Sequence, residues 1–219
     1  MLSLSGTLLL IACGGPKKTE TAELSRPVAP DQDVAAEAYL FDTWLWYEGK
    51  RSSMRLEVFV ADSILAAGGR SYLGKGALKG WIRDDSLLFY FPQSDEFVYE
   101  PITDLLLSVT CTDQAPRIAF LDLFYALPDS LTLDPQIQVD ADYADPDRPN
   151  FLLGMADCPW QIRLEYDRRE PGFRIREFEF DNGDALRIEA RRREYKAETT
   201  VGGGKFSVAL PESAAQIIP

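Results

Sequence analysis

Trp160-Gln161-Ile162-Arg163-Leu164-Glu165-Tyr166-Asp167, then Phe173-Arg174-Ile175-Arg176-Glu177-Phe178-Glu179-Phe180, then Leu186-Arg187-Ile188-Glu189-Ala190: this stretch, running on to Lys196, decides the fold. Apolar and charged residues alternate with period two, the pattern of strands with one buried and one wet face. Asp181-Asn182-Gly183-Asp184 lies between the second and third runs. Asn-Gly is a strong short-hairpin signal, because both central residues of the tightest turn need positive φ. The stretch therefore predicts three long antiparallel strands in a meander, each with an apolar face to be covered.

The alternation slips twice. Phe173 and Ile175 are in one phase, Phe178 and Phe180 in the other, and a bulge at Arg176-Glu177 repairs this while bending the strand. Arg192 falls in the inward phase of Leu186, Ile188 and Ala190. Either a second bulge turns it out, or it points into the concave side near a rim. Long bent strands with an apolar face suit a sheet that curls around contents.

Length and composition bound the rest. The chain has 219 residues and is 46% hydrophobic and 11% aromatic, enough for one large domain with a sizeable core. A net charge of −12 argues against a nucleic-acid partner. There is no histidine, which removes Ser-His-Asp and Cys-His nucleophile systems and His-ligated zinc. Catalysis is not excluded by this, but its commonest residue is missing; no cofactor or metal is expected.

Leu2 to Ala12 is short, apolar and leucine-rich, and ends at Cys13. It is too short to span a bilayer but fits the apolar region of an export signal. Leu10-Ile11-Ala12-Cys13 resembles a bacterial lipobox, although no Lys or Arg precedes the apolar run. That resemblance implies cleavage before Cys13 and acylation of its thiol, with the acyl chains holding the protein at a membrane. Gly14 after the cysteine resembles lipoproteins destined for the outer membrane. Pro16 to Gln32 is polar and reads as a tether. The expected organisation is a lipoprotein signal over 1–12, a lipidated tether over 13–32 and one domain over 33–219.

In the body, Asp33 is expected to cap a helix through Ala35–Leu40 towards Trp46, since Leu40, Trp44 and Tyr47 are spaced by four and three. Met54–Val60 reads as the first strand and Ser71–Arg83 as the second. In the latter, Gly74, Gly76 and Gly80 share a face and mark coiling or close backbone approach. Ser86–Phe91 is apolar on both faces and should be covered on both. Glu96–Glu100 is a fourth strand. Ile102–Val109 and Pro116–Leu127 read as helices, the second with an apolar stripe of Ile118, Leu121, Phe124 and Tyr125 widened by Phe120. Gln136–Ala141 is a weak strand and Phe206–Leu210 a last short one, with a helical turn in the tail. Asp140, Asp142, Asp145 and Asp147 lack the spacing of a calcium loop and read as a solvated acidic loop. With Cys13 lipidated, Cys111 and Cys158 form an even pair in an exported protein and read as a disulfide, with free thiols as the alternative.

The order of these elements resembles the LolA/LolB-like superfamily of periplasmic lipoprotein carriers and outer-membrane lipoprotein receptors. The pieces that carry the resemblance are Gly80-Trp81-Ile82-Arg83-Asp84-Asp85-Ser86-Leu87-Leu88-Phe89-Tyr90-Phe91-Pro92, the Phe178-x-Phe180-Asp181-Asn182-Gly183 hairpin, the Tyr195 strand and the closing Phe206-x-Val208-x-Leu210-Pro211. It covers about Ala35 to Pro211. It implies an α+β fold: an unclosed, strongly curved antiparallel half-barrel with helices packed on its concave side as a lid. It also implies acyl-chain binding without catalysis, at the outer membrane facing the periplasm. Trp81, Leu87, Phe89, Phe91, Phe120, Phe124, Ile162 and Leu164 are the expected lining. No stretch is assigned to the receptors' exposed leucine loop. The alternative is a structural or assembly lipoprotein whose concave face is filled by its own side chains.

Overall fold

The computed structural model describes residues 32–47, 49–84, 86–101, 120–156 and 158–217. They form one twelve-stranded sheet. Its strands are β1 (Asp33–Tyr47), β2 (Lys50–Ala61), β3 (Ile64–Ser71), β4 (Gly76–Arg83), β5 (Ser86–Phe91) and β6 (Glu96–Pro101), then β7 (Ile137–Asp142), β8 (Asn150–Met155), β9 (Gln161–Arg169), β10 (Gly172–Asp181), β11 (Leu186–Gly202) and β12 (Ala215–Gln216). The spatial order is β12-β6-β5-β4-β3-β2-β1-β11-β10-β9-β8-β7, so the sheet is unclosed and β1 lies near its middle. All neighbours are antiparallel except β12, which runs parallel to β6.

The meander forms as read, and its bulges explain its phases. β9 and β10 shift register between Ile175 and Glu177, leaving Arg176 extra. That places Phe178 opposite Leu164 and Phe180 opposite Ile162. At Arg192 both alternatives hold in part. Its side chain is inward and only 5% exposed. The register shift comes one residue later, between the pairs Leu40–Glu194 and Phe41–Arg192. The hairpin turn differs from the tight Asn-Gly form. Only Gly183 takes positive φ, at 77°, and the Asn182 side chain accepts hydrogen bonds from the amides of Asp184 and Leu186.

The α+β expectation is overturned: the described residues are all-β apart from short 3-10 turns. The segment expected to be an N-terminal helix is the 15-residue strand β1. Tyr39, Phe41 and Thr43 are its buried inward residues, and Leu40 and Trp44 belong to its other face. Leu40 and Trp44 share one face of the strand and Tyr47 lies on the other, since the register with β2 runs unbroken to Tyr47. Two long amphipathic partners, β2 and β11, override the local helix preference of alanine. Between Phe120 and Leu127 there is a 3-10 turn at Asp122–Phe124, with another at Pro128–Ser130, and among the described residues there is no helical lid. The expected helix over Ile102–Val109 lies outside the described residues, as do 116–119. Ser71–Arg83 is a turn followed by β4, and β3 and β8 are strands that the sequence reading did not mark. Phe206–Leu210 is not a strand, and the tail supplies β12 in place of a helical turn.

Apolar residues cover both faces. The inner cluster takes Tyr39, Phe41, Val58, Val60, Phe151 and Ile162 from the sheet and Leu123 from the 120–133 segment. The outer cluster takes Ala36, Ala66, Trp81, Leu88 and Phe97 under Phe206 and Val208 of the C-terminal segment. Adjacent Leu87 and Leu88 are both buried, so β5 is covered on both sides as expected. Gly80 marks a close approach: a Cβ there would stand 2.1 Å from Cδ1 of Phe89.

Candidate functional site

The inner face is the candidate site. Its floor comes from β1 to β3 and β8 to β11, whose inward residues follow from the period-two pattern. The cover is the 120–133 segment. Phe120, Leu121, Phe124, Leu127, Leu131 and Leu133 are only partly buried against the floor, while Leu123 is 2% exposed and plugs it. Phe124 meets Tyr39 edge-on at 5.3 Å. The Tyr166 hydroxyl donates to the Leu123 carbonyl at 3.0 Å. The described segment makes its backbone hydrogen bonds within its own turns, Phe124 to Leu121 and Leu131 to Pro128 among them.

A polar network runs along one side of this face. Arg174 donates from Nε and Nη2 to the Glu37 carboxylate at 2.8 and 2.6 Å, and from Nη1 to its neighbour's carbonyl. The Tyr39 hydroxyl also donates to Glu37, at 2.6 Å. The ring of Tyr125 lies 5.7 Å from the Arg174 guanidinium. Arg192 donates to both oxygens of Asp167 and to the Ile175 carbonyl. Burial, then the Glu37 hydrogen bond, pushes the Tyr39 phenol far up. Burial, then the Glu37 charge, pushes Tyr125 up to about 12. Burial raises Tyr166. At neutral pH these phenols are neutral, and the carboxylates are matched by guanidinium groups.

The expected lining residues are split. Ile162 and Leu164 are fully buried in the inner floor, and Phe89, Phe120 and Phe124 pack against it. Leu87 is buried opposite inner-facing Ile82. Phe91 is half-buried opposite Glu96. Trp81 is on the other face, in the cluster under Phe206. Period two dictates this, since Trp81 pairs with Leu88 and Ile82 with Leu87. Cys13 and Cys111 lie outside the described residues. Cys158 packs against the inner cluster. The acidic segment ties itself with short-range bonds, and Asp147 accepts from Arg168 at 2.8 Å.

Two features escaped the sequence reading. Glu37 and Arg174 are 137 positions apart, and no local pattern links them. The signals available were an acidic residue inside the apolar run of β1 and an arginine beside the alternation slip of β10. The second feature is Leu73, 88% exposed in the turn between β3 and β4, beside exposed Tyr72. The β1–β2 hairpin, with exposed Tyr47, turns at the same end of the sheet, because Met54 pairs with Ser71 and Tyr47 with Lys50.

No family model matches the chain, and no curated protein matches it. Among solved structures it is similar to an uncharacterized conserved protein from Thermus thermophilus, with 10% identity and a TM-score of 0.42, over 84% of this chain and 90% of that one. It is also similar to a structure described as an outer membrane lipoprotein-sorting protein domain from Vibrio parahaemolyticus, with 6% identity and a TM-score of 0.38, over 74% and 84%. A LolA superfamily protein from Nitrosomonas europaea is similar at 8% identity and a TM-score of 0.31, over 81% and 90%.

Proposed function

We propose that this protein is a lipoprotein of the cell envelope, anchored to the outer membrane through acylated Cys13, that receives an acyl chain or a lipoprotein's acyl group on its inner face. The pairing of Cys158 with Cys111 is part of the same proposal and ties the segment after β6 to the start of the meander. Binding is non-catalytic.

The observation that carries the reading is the nature of the cover. Residues 120–133 lie over an apolar floor with partly buried Phe120, Leu121 and Phe124 and hold themselves by short turns. Parting such a cover breaks no ladder, so its cost is mainly apolar burial, roughly 25 cal/mol per Å². An acyl chain sliding beneath restores that burial. Exposed Leu73 and Tyr72 would give the receptor a greasy tip at the membrane. A second reading, a structural lipoprotein with a filled core, is favoured by the fully buried Leu123 and its bond from Tyr166.

One paired measurement separates the two. Phe124→Ala in a closed core should cost roughly 3–5 kcal/mol of unfolding free energy. In a parting cover it should cost clearly less and weaken the binding of a fluorescent fatty acid. A large stability loss in the variant, with no acyl binding by the wild type, would leave the structural reading standing.

A further inference from the structure

On the outer face of β2, β3 and β4 lies a cationic groove that the inner-face reading does not use. It consists of two abutting cavities of about 330 and 290 Å³, which share Glu57, Gly68 and Arg70 as lining. Arg55 and Tyr72 complete the first; Phe59, Lys79 and Lys205 belong to the second. The groove exists because β3 puts glycine where its neighbours put side chains. Gly68 pairs with Glu57 on one side and Lys79 on the other, and nothing lies within 4 Å of where its Cβ would be.

The charges around this gap are unbalanced. Arg55 and Arg70 are directly opposite across the β2–β3 ladder. Like charges so placed repel. The chain has 35 acidic residues against 23 basic ones, yet among the described residues neither arginine nor Lys79 has a carboxylate within ion-pair distance. Glu57, the carboxylate at the groove, is engaged by Lys205 at 3.1 Å. Lys205 also stands 5.1 Å over the Phe59 ring. Half-buried Lys79 has its pKa lowered by burial and then by Lys205, so the site is electrostatically uncomfortable when empty. Arginine forks match phosphate oxygens, and clustered cations favour a multiply charged anion over a single carboxylate.

We infer that this outer groove binds a phosphate ester, held by Arg55, Arg70 and Lys79 above the Gly68 floor. Two sources share that chemistry: a soluble phosphate monoester, and the headgroup of an anionic phospholipid. The apolar lining of Leu40, Phe59 and Pro92 would suit the glycerol end of either. The inference does not depend on acyl binding at the inner face.

The test uses the full-length chain with Cys13→Ser, so that no anchor contributes. Two probes are measured: glycerol 3-phosphate by calorimetry, and co-sedimentation with phosphatidylcholine vesicles with or without phosphatidylglycerol. Wild type should bind at least one probe, more weakly as salt rises. Arg70→Ser/Lys79→Ser should lower the affinity about tenfold or more, as charge-assisted contacts to the phosphate are lost. Gly68→Asp, which places a carboxylate in open space, should do the same without disturbing the fold. Binding of glycerol 3-phosphate identifies a soluble ligand. Binding only to phosphatidylglycerol vesicles identifies the headgroup. Binding of neither probe overturns the inference. So does an equal loss in Arg51→Ser/Arg187→Ser, since those arginines stack on Trp46 away from the groove and would report only diffuse charge.

Discussion

Arg174 on the inner face and Arg70 on the outer face belong to the same sheet but answer different demands. Arg174 is buried, forked onto Glu37 and roofed by Tyr125. Arg192 beside it is matched in the same way by Asp167. Arg70 faces water across from Arg55, with no carboxylate within ion-pair distance among the described residues. A buried charge in a low-dielectric interior must be matched within the chain, because desolvation is costly. An exposed one can wait for a partner from outside. The pairing pattern therefore separates charges that define the sheet's interior from charges available to a ligand.

The largest effect that would test this contrast is on Arg174. Arg174→Ala leaves Glu37 buried without its partner and should cost about 3–5 kcal/mol in urea denaturation. A loss under about 1 kcal/mol would place the inner pair with ordinary surface pairs. Alkaline pH gives the next effect. Tyr39, Tyr125 and Tyr166 hold their protons more tightly folded than unfolded, all three chiefly through burial. Their contribution is complete below the ordinary phenol value near 10 and is lost as pH rises through the folded values, which for Tyr125 is about 12. The denaturation midpoint should therefore fall from about pH 10 upward, and less steeply in Tyr39→Phe. A midpoint that stays level across that range would contradict the buried-phenol geometry. The smallest effect is at the outer groove. Arg70→Ser should change stability by no more than about 0.5 kcal/mol, with any change favourable as the repulsion from Arg55 is relieved. A loss of 2 kcal/mol or more, on the order of a lost core contact, would make Arg70 a structural residue and erase the contrast.

Much of this was legible in the chain. Strands β9 to β11 alternate so regularly that their slip could be placed at Arg176, where the register shifts. Leu87–Phe91 announced its two covered faces by lacking polar positions. What failed was reading each segment by its own preferences. Residues 33–47 are alanine-rich at the start and carry apolar residues on both faces, and only their position between β2 and β11 makes them a strand. The stripe around Phe120 and Phe124 is apolar enough for a helix, but an irregular segment with short turns presents it to the same floor. Trp81 is expected among the lining residues, although the period of its own strand sends it to the other face. The Glu37–Arg174 pair and the Gly68 groove are products of register between distant strands. No window of sequence contains them.

The position of β1 governs when the molecule can be completed. Asp33 pairs with Gly202 and Tyr47 with Leu186, so the first strand of the domain finds its second neighbour in the last long one. Hairpins β1–β2, β2–β3 and β3–β4 need only local loops and can close while the chain is being made. Until the residues after Leu186 exist, however, β1 is an open edge with unpaired amides and carbonyls, the kind that recruits strands from other chains. The seam that joins the two halves of the sheet therefore cannot close before β11 is made, and it runs through the middle of the finished protein.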